Sequence, residues 1–256
     1  MNLRKPIRRA ICSVLGHLPL LVHLQAQLLR FYAERSLHLK YFHVWEAYGL
    51  HMIPVHYFSP IPDTRVIPSS VWSRNSEMPG VDMNDAVQLE FVRSVFPAYE
   101  AEIAKLFQGD GRDYTAYQPS NPNFSSLDAA VLYSIVRSFR PNTILEVGGG
   151  FSSRVSAAAT LHNGRPALTC IEPYPDETLK AGFPGLNALI SKQVQDVPLS
   201  VFENLTSGDI LFIDSSHVAK CGSDVVYLYL EVLPRLKPGV LVHVHDVFFP
   251  REYPES

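Results

Sequence analysis

Thr143-Ile-Leu-Glu-Val-Gly-Gly-Gly-Phe-Ser-Ser153 decides the reading of this 256-residue chain. Ile144, Leu145 and Val147 make a short apolar strand that runs straight into three glycines. Ser152 and Ser153 stand where a helix N-cap belongs, and Val155 to Leu161 carry a helix onward. Three adjacent glycines cost backbone entropy. They therefore mark a tight strand-to-helix turn whose backbone passes close to a bound ligand. A glycine turn is not specific alone, so the chain after it has to supply a matching site.

The pattern downstream alternates: strand 143–147, helix 152–162, strand 167–171, helix 176–182, strand 188–194, strand 209–213, helix 222–235 and strand 239–245. Apolar strands of about five residues separated by helices predict a parallel sheet covered on both faces. Right-handed connections make it a doubly wound, Rossmann-like α/β fold, with ligands at the carboxyl ends of the strands. The strands place acids there in turn: Glu146, Glu172, Asp196, Asp214 and Asp246. One such acid would be read as a helix cap or a solvated carboxylate; five in register point to a site. Glu172, about twenty residues past the turn, is where a ribose-binding carboxylate belongs. Glu146, two residues before the first glycine, would repel a pyrophosphate and suit a cationic ligand. That favours S-adenosylmethionine over NAD.

On these residues, positions 125–250 resemble a class I S-adenosylmethionine-dependent methyltransferase. Leu145 to Ser153 matches the family's first motif, Ile171-Glu172 the second, and Gly208-Asp-Ile-Leu-Phe-Ile-Asp214 the fourth. Leu233-Pro-Arg-Leu-Lys-Pro-Gly239 is similar to the turn before its fifth strand. The resemblance implies a cofactor site of Glu146, Gly148, Gly149, Gly150 and Ser152 at the methionine end. Glu172 would take the ribose and Asp196 would lie near the adenine.

Asp214-Ser-Ser-His217 and His245-Asp246 set two carboxylates and two imidazoles at neighbouring strand ends. Oxygen ligands without thiols suit magnesium or a similar hard divalent ion. The arrangement is similar to the metal-dependent macrolide-sugar O-methyltransferases and, more loosely, to the cephalosporin hydroxylase group. That resemblance implies Asp214, His245 and Asp246 as metal ligands and His217 as general base, with His245 where those relatives carry a glutamate. The implied reaction is O-methylation of a small hydroxylated acceptor, a sugar or secondary metabolite. His243 is expected to point into the helical layer opposite His245.

The N-terminal part, 1–123, reads as a separate helical and proline-rich region, a substrate lid or an oligomerisation element, ahead of a cofactor-binding domain at 124–256. A basic cluster (Arg4, Lys5, Arg8, Arg9) precedes a stripe of Leu18, Leu21, Val22, Gln25, Leu28, Leu29, Tyr32 and Leu39. Packing on this protein or a second subunit is the favoured reading. Peripheral membrane contact through residues 4–29 is the lesser one. Helices are expected from Asn84 to Phe96, with Leu89, Val92, Val95 and Phe96 inward, and from Ala98 to Phe107, parted by Pro97. Another follows from Ser126, with Leu127, Val131, Ile135 and Phe139 inward.

An apolar fraction of 46% describes a globular chain, and a net charge of −3 gives no support for nucleic-acid binding. Cys12, Cys170 and Cys221 form no metal or disulfide pattern and fit a reducing, cytoplasmic setting. The sheet reads as lacking the last two strands of its class, which predicts an open edge and a homo-oligomer. Two other functions fit the same scaffold: a non-catalytic nucleoside-binding protein, and a hydroxylase or oxidoreductase.

Overall fold

A computed structural model of the chain describes residues 19–108, 113, 115–165 and 167–253. Residues up to Arg74, with those from Glu252 on, cluster into one compact unit, and Asn75–Arg251 into a second.

The first unit holds α1 (Pro19–Glu34), α2 (Leu37–Lys40), α3 (Phe42–Ala47) and α4 (Ser70–Ser73). The apolar stripe does form a helix, yet α1 buries none of its residues, and Val22, Leu28 and Leu39 are more than half exposed. Tyr32 meets Trp45 edge-on at 6.1 Å. The proline-rich stretch is ordered by local bonds, such as the Asp63 carboxylate accepting from Arg65 N at 3.1 Å. The basic cluster, Leu18 and Cys12 lie outside the described residues. Among the described residues no helix is long and apolar enough to cross a membrane.

The second unit opens with α5 (Asp85–Leu106), one helix of 22 residues that carries Pro97 inside it. A proline costs a helix interior about 3 kcal/mol, so a break was the expectation. The half after Pro97 is held from elsewhere. Ile103 is buried in the core, and Glu102 takes hydrogen bonds from Tyr133 Oη (2.6 Å) and from Arg137 Nε and Nη2 (2.7 and 3.0 Å). Those partners stand on α6 (Ser126–Phe139), capped by the Ser125 hydroxyl accepting from Asp128 N at 3.3 Å. Helix α5 thus belongs with the sheet, and the unit boundary falls at 74/75, not at 123/124.

The inward face of these helices matches expectation only in part: Phe96 and Ile135 pack against the core. Leu89, Val92, Leu127 and Phe139 are at least half exposed, whereas α6 buries Ala129, Ala130, Leu132, Tyr133, Ser134 and Val136. Small residues form part of that face. They let neighbouring elements come close, a role that hydrophobicity ranking overlooks.

Five strands follow: β1 (Ile144–Val147), β2 (Leu168–Ile171), β3 (Leu186–Ile190), β4 (Ile210–Ile213) and β5 (Leu241–Val244). They form one all-parallel sheet in the order β3-β2-β1-β4-β5, so strand order reverses between β1 and β4. Alternation sends Ile144, Ile210 and Phe212 to a core shared with α5, α6 and α7 (Phe151–His162). Leu145, Val147, Leu211 and Ile213 face a second core, with Phe202 of α9 (Leu199–Glu203) and with Leu228 and Val232. Between β2 and β3 lies the short α8 (Glu177–Ala181).

Strand β3 ends at Ile190, four residues before the expected end. The next apolar position, Val194, belongs to a 3-10 turn, Val194–Asp196. The expected helix 222–235 is α10 (Asp224–Tyr227) running into a π segment, Leu228–Val232, and a 3-10 turn, Leu233–Arg235. Pro234 lacks the amide for a regular last turn, and its ring excludes the preceding carbonyl. His243 shares a face with His245, since side chains two apart on a strand point the same way. It packs edge-on against Phe212 at 4.8 Å, so the expected opposite orientation is not adopted.

Candidate active site

The rim of the sheet is built by register. Val147 pairs with Ile171 and with Ile213, and Ile213 with Val244. The ladder continues one residue further through Gly148 N to Ile171 O, Asp214 N to Val147 O and His245 N to Ile213 O, all at 2.8–2.9 Å. Gly148, Glu172, Asp214 and His245 therefore stand side by side at the carboxyl edge.

The three glycines have different reasons. Gly148 has φ +90°, and a Cβ there would lie 1.7 Å from the Asp214 carbonyl oxygen. Its smallness is required by the neighbouring strand, not by a ligand. Gly149 donates to Glu172 Oε2 at 3.1 Å and would bring a Cβ within 3.1 Å of Leu179. At Gly150 a Cβ would meet nothing within 4 Å. The open space next to the turn is at Gly150, which also takes the N-cap position expected for the serines.

Ser152 and Ser153 turn inward. Their hydroxyls donate to Glu146 Oε1 at 2.6 and 2.8 Å, and Ser153 Oγ accepts from Gly150 N at 2.9 Å. Glu146 is fully buried, its Oε2 meets no hydrogen-bond partner of good geometry among the described residues, and burial pushes its carboxyl up to about 7. It lines neither cavity at the rim. Its carboxylate ties the start of α7 to β1, so the charge argument placed on Glu146 passes to other acids.

Those acids line a cavity of about 480 Å³ at the switch point between β1 and β4. Val147, Gly148 and Ile171 form its floor, with Glu172 and Tyr174 on one side and Gln193, Val194 and Gln195 beyond. Asp214–Ser216, Lys220 and Gly222–Asp224 close the other side. Glu172 is placed as the sequence predicts, its Oε1 accepting from Tyr174 N at 2.7 Å. Asp196 is exposed and is not part of this lining; Gln193 and Gln195 take that place because β3 ends early. Gln195 Nε2 donates to Gly222 O at 3.0 Å, bridging the far wall to the segment after β4. Ser216 is pinned by Asp224, which accepts from its amide at 2.7 Å and its hydroxyl at 2.6 Å. A second lobe of about 290 Å³ shares Gly148, Glu172, Tyr174 and Asp214 and reaches Gly149, Gly150, Ser152, Asn123 and Phe124. Nothing in the sequence marks Gln193, Gln195 or Lys220, whereas Ser223-Asp224 carries a helix-start signature.

Asp214 also belongs to a cluster. One ligand-type atom from each of Asp214, His217, His245 and Asp246 lies within 4.8 Å of all the others. His217 Nε2 stands 3.2 Å from Asp214 Oδ1 and 3.6 Å from Asp246 Oδ2. His245 Nδ1 stands 3.2 Å from the same Asp214 oxygen and 3.5 Å from Asp246 Oδ1. The Asp214 hydrogen bond raises the His245 pKa against the opposing effect of burial. His217 and Asp246 both have positive φ, +57° and +55°. Backbone strain of about 1–3 kcal/mol at each is tolerated when the surroundings over-determine it, and it concentrates at functional sites. Two nitrogens and two carboxylates can hold a divalent cation or move a proton.

A methyltransferase-domain family model matches residues 145–247, from β1 to just past Asp246. An uncharacterized protein of Archaeoglobus fulgidus is 30% identical over 161 residues, covering 59% of this chain and 72% of the relative. No solved structure matches the chain.

Proposed function

We propose that the chain, whose residues 145–247 match a methyltransferase-domain family, methylates a hydroxyl of a small molecule with S-adenosylmethionine as donor. One observation carries the reading. Asp214 lines the cavity beside the glycine turn and also belongs to the imidazole–carboxylate cluster, so donor and acceptor ends meet at one residue. The cavity volume is within the range for ligand sites of this size. Its lining includes Glu172, Asp214 and Asp224 against Lys220, an acidic balance suited to a sulfonium and an ammonium group.

Glu172 would accept from the ribose hydroxyls, Gln193 and Gln195 would meet the base, and Gly149 and Gly150 would flank the methionine end. Asp196, exposed beside them, is left as a peripheral contact at most. The donor supplies an electrophilic methyl on a positively charged sulfur. His217 takes the proton of the acceptor hydroxyl as its oxygen attacks that methyl in line; the carbon–sulfur bond breaks and the neutral sulfide leaves. Asp214, with Oδ1 3.2 Å from His217 Nε2, would orient the imidazole. Holding oxygen and methyl in register supplies much of the rate gain.

The test is His217→Ala, with methyl transfer measured on a panel of hydroxylated small molecules and binding of the demethylated cofactor measured separately. Turnover should fall by about 10²–10⁴-fold with binding little changed. Unchanged turnover removes His217 from the mechanism.

A further inference from the structure

The first unit holds apolar surface without a core. Among its described residues none is buried, whereas the second unit sinks its apolar side chains into two cores. Helix α1 carries Leu20, Leu24, Leu28 and Phe31 at helical spacing on one stripe, each between 47% and 70% exposed. It shares only Leu28 with the stripe expected from the sequence, whose Tyr32 turns to Trp45 instead. In the loop after α3, Tyr57 and Phe58 are 91% and 84% exposed and meet each other edge-on at 5.1 Å. Cations stand against the rings of this unit. The Arg35 guanidinium lies 5.0 Å from the Phe31 ring, and the Lys40 ammonium 5.4 Å from the Tyr41 ring. Charge divides along the chain in the same way. Residues 1–74 carry nine Lys or Arg against three Asp or Glu, a balance of +6. Residues 75–256 carry thirteen against twenty-two, a balance of −9.

We infer that the first unit docks on a membrane surface containing anionic lipid, with α1 in the plane of the interface and its Leu20–Phe31 stripe towards the acyl chains. At 16 residues α1 is shorter than the roughly 20 needed to span a bilayer, so it lies on the membrane. An exposed apolar stripe with cations beside it is the pattern of an interfacial helix. Such a helix binds through buried apolar area together with attraction to anionic headgroups. Tyr48 and Tyr57, both exposed, fit the same boundary, where the ring meets acyl chains and the hydroxyl meets water. Arg35 and Lys40 can lay their stems along apolar surface and keep their charge at headgroup level. A second copy meeting this unit face to face would set one surplus of six positive charges against another. A nucleic acid would meet the charge and leave the aliphatic stripe in water. An anionic lipid surface answers both. Of the two expectations for this region, peripheral membrane contact is the one these residues favour.

The test is flotation of the full chain with vesicles on a density gradient, which separates bound protein from aggregate. The chain should rise with phosphatidylcholine vesicles holding about 30% phosphatidylserine and stay below with phosphatidylcholine alone. Raising NaCl from about 0.1 to about 0.5 M should release most of it, because salt screens exposed charges. Leu24→Ser combined with Leu28→Ser should weaken binding about 100-fold. Arg35→Gln combined with Lys40→Gln should weaken it about 25-fold, each cation contributing roughly fivefold. Both variants should keep a Tm within about 2 °C of wild type, because all four side chains are exposed. Equal flotation with both vesicles, no flotation at millimolar lipid, or unaltered binding in the leucine variant overturns the docking surface. A dimer in light scattering that the leucine variant dissociates, with no flotation of the wild type, gives the stripe to a second copy and overturns it too. Displacement from the vesicles by short duplex DNA at equal phosphate does the same. The comparison of two lipids needs no variant, so it decides even where a substitution fails to fold.

Discussion

The two ends of the rim are made differently. The glycine turn is a backbone structure: Gly148 presses against the Asp214 carbonyl, Gly149 N–H is held by Glu172, and Glu146 works from beneath through two serines. The Asp214–Asp246 end is a side-chain structure, in which four ionisable groups from two strand ends and a loop converge. The contrast teaches what each end can tolerate. Changes at the first should damage the fold, and changes at the second should damage chemistry while leaving the fold intact.

The largest effect should come from Gly148→Ala. A methyl group 1.7 Å from a backbone oxygen cannot be relieved by a rotamer, and the positive φ adds strain. A loss of roughly 4 kcal/mol is expected from the clash and strain together, or about 10 °C in Tm for a unit of this size. A Tm within 2 °C of wild type, a bound set well inside that shift, would erase the contrast.

Away from the rim, the network holding α5 gives a pH-dependent effect of middle size. The Arg137 guanidinium beside Glu102, with the Tyr133 hydroxyl, lowers the Glu102 pKa from 4.5 to about 2. A depressed carboxylate stabilises the fold fully above its unfolded pKa and loses that contribution as pH falls from about 4.5 to about 2. With partial exposure discounted, roughly 2 kcal/mol is involved. Glu102→Gln should lower Tm at pH 7 and flatten the decline between those two pH values. Parallel Tm curves for the two proteins down to pH 3 would contradict the assignment.

Smallest are the changes that separate space from scaffold. Gly150→Ala should leave Tm unchanged, because nothing lies within 4 Å of the added carbon, yet weaken binding of the demethylated cofactor. Equal affinity in the variant would mean that the open space next to the turn is not the cofactor's. Glu146→Gln keeps an acceptor for Ser152 and Ser153 and removes a buried ionisable group. It should be neutral or slightly stabilising at pH 8 and lose that advantage below pH 7, where the native carboxyl takes up its proton. A marked loss of stability at pH 8 would show that the buried charge itself is needed.

Which of these features the sequence announces follows from the same contrast. Strands β1, β2, β4 and β5 lie within two residues of where the apolar runs place them, because buried parallel strands leave a continuous signal. The end of β3 is not legible, because Val194 extends the apolar run in sequence while its backbone turns away. Helix α6 is legible from its period, but of the expected face of Leu127, Val131, Ile135 and Phe139 the two end residues are exposed, while Ala129, Ala130 and Ser134 share the packed side. Glu172 and Asp214 follow directly from strand-end position. The approach of His217 and Asp246 to them depends on left-handed backbone at non-glycine residues, which composition does not signal. Asp128 is legible only as a helix-start residue, because its approach to His245 at 3.6 Å joins positions more than a hundred apart.

The central claim is that the cavity beside the turn takes the methyl donor. Calorimetric titration of the full chain with the demethylated cofactor and, separately, with NAD tests it most directly, using wild type and Glu172→Ala. Saturable one-to-one binding of the demethylated cofactor, lost in Glu172→Ala and with no heat from NAD, is the result predicted. Binding of NAD in its place would contradict the account.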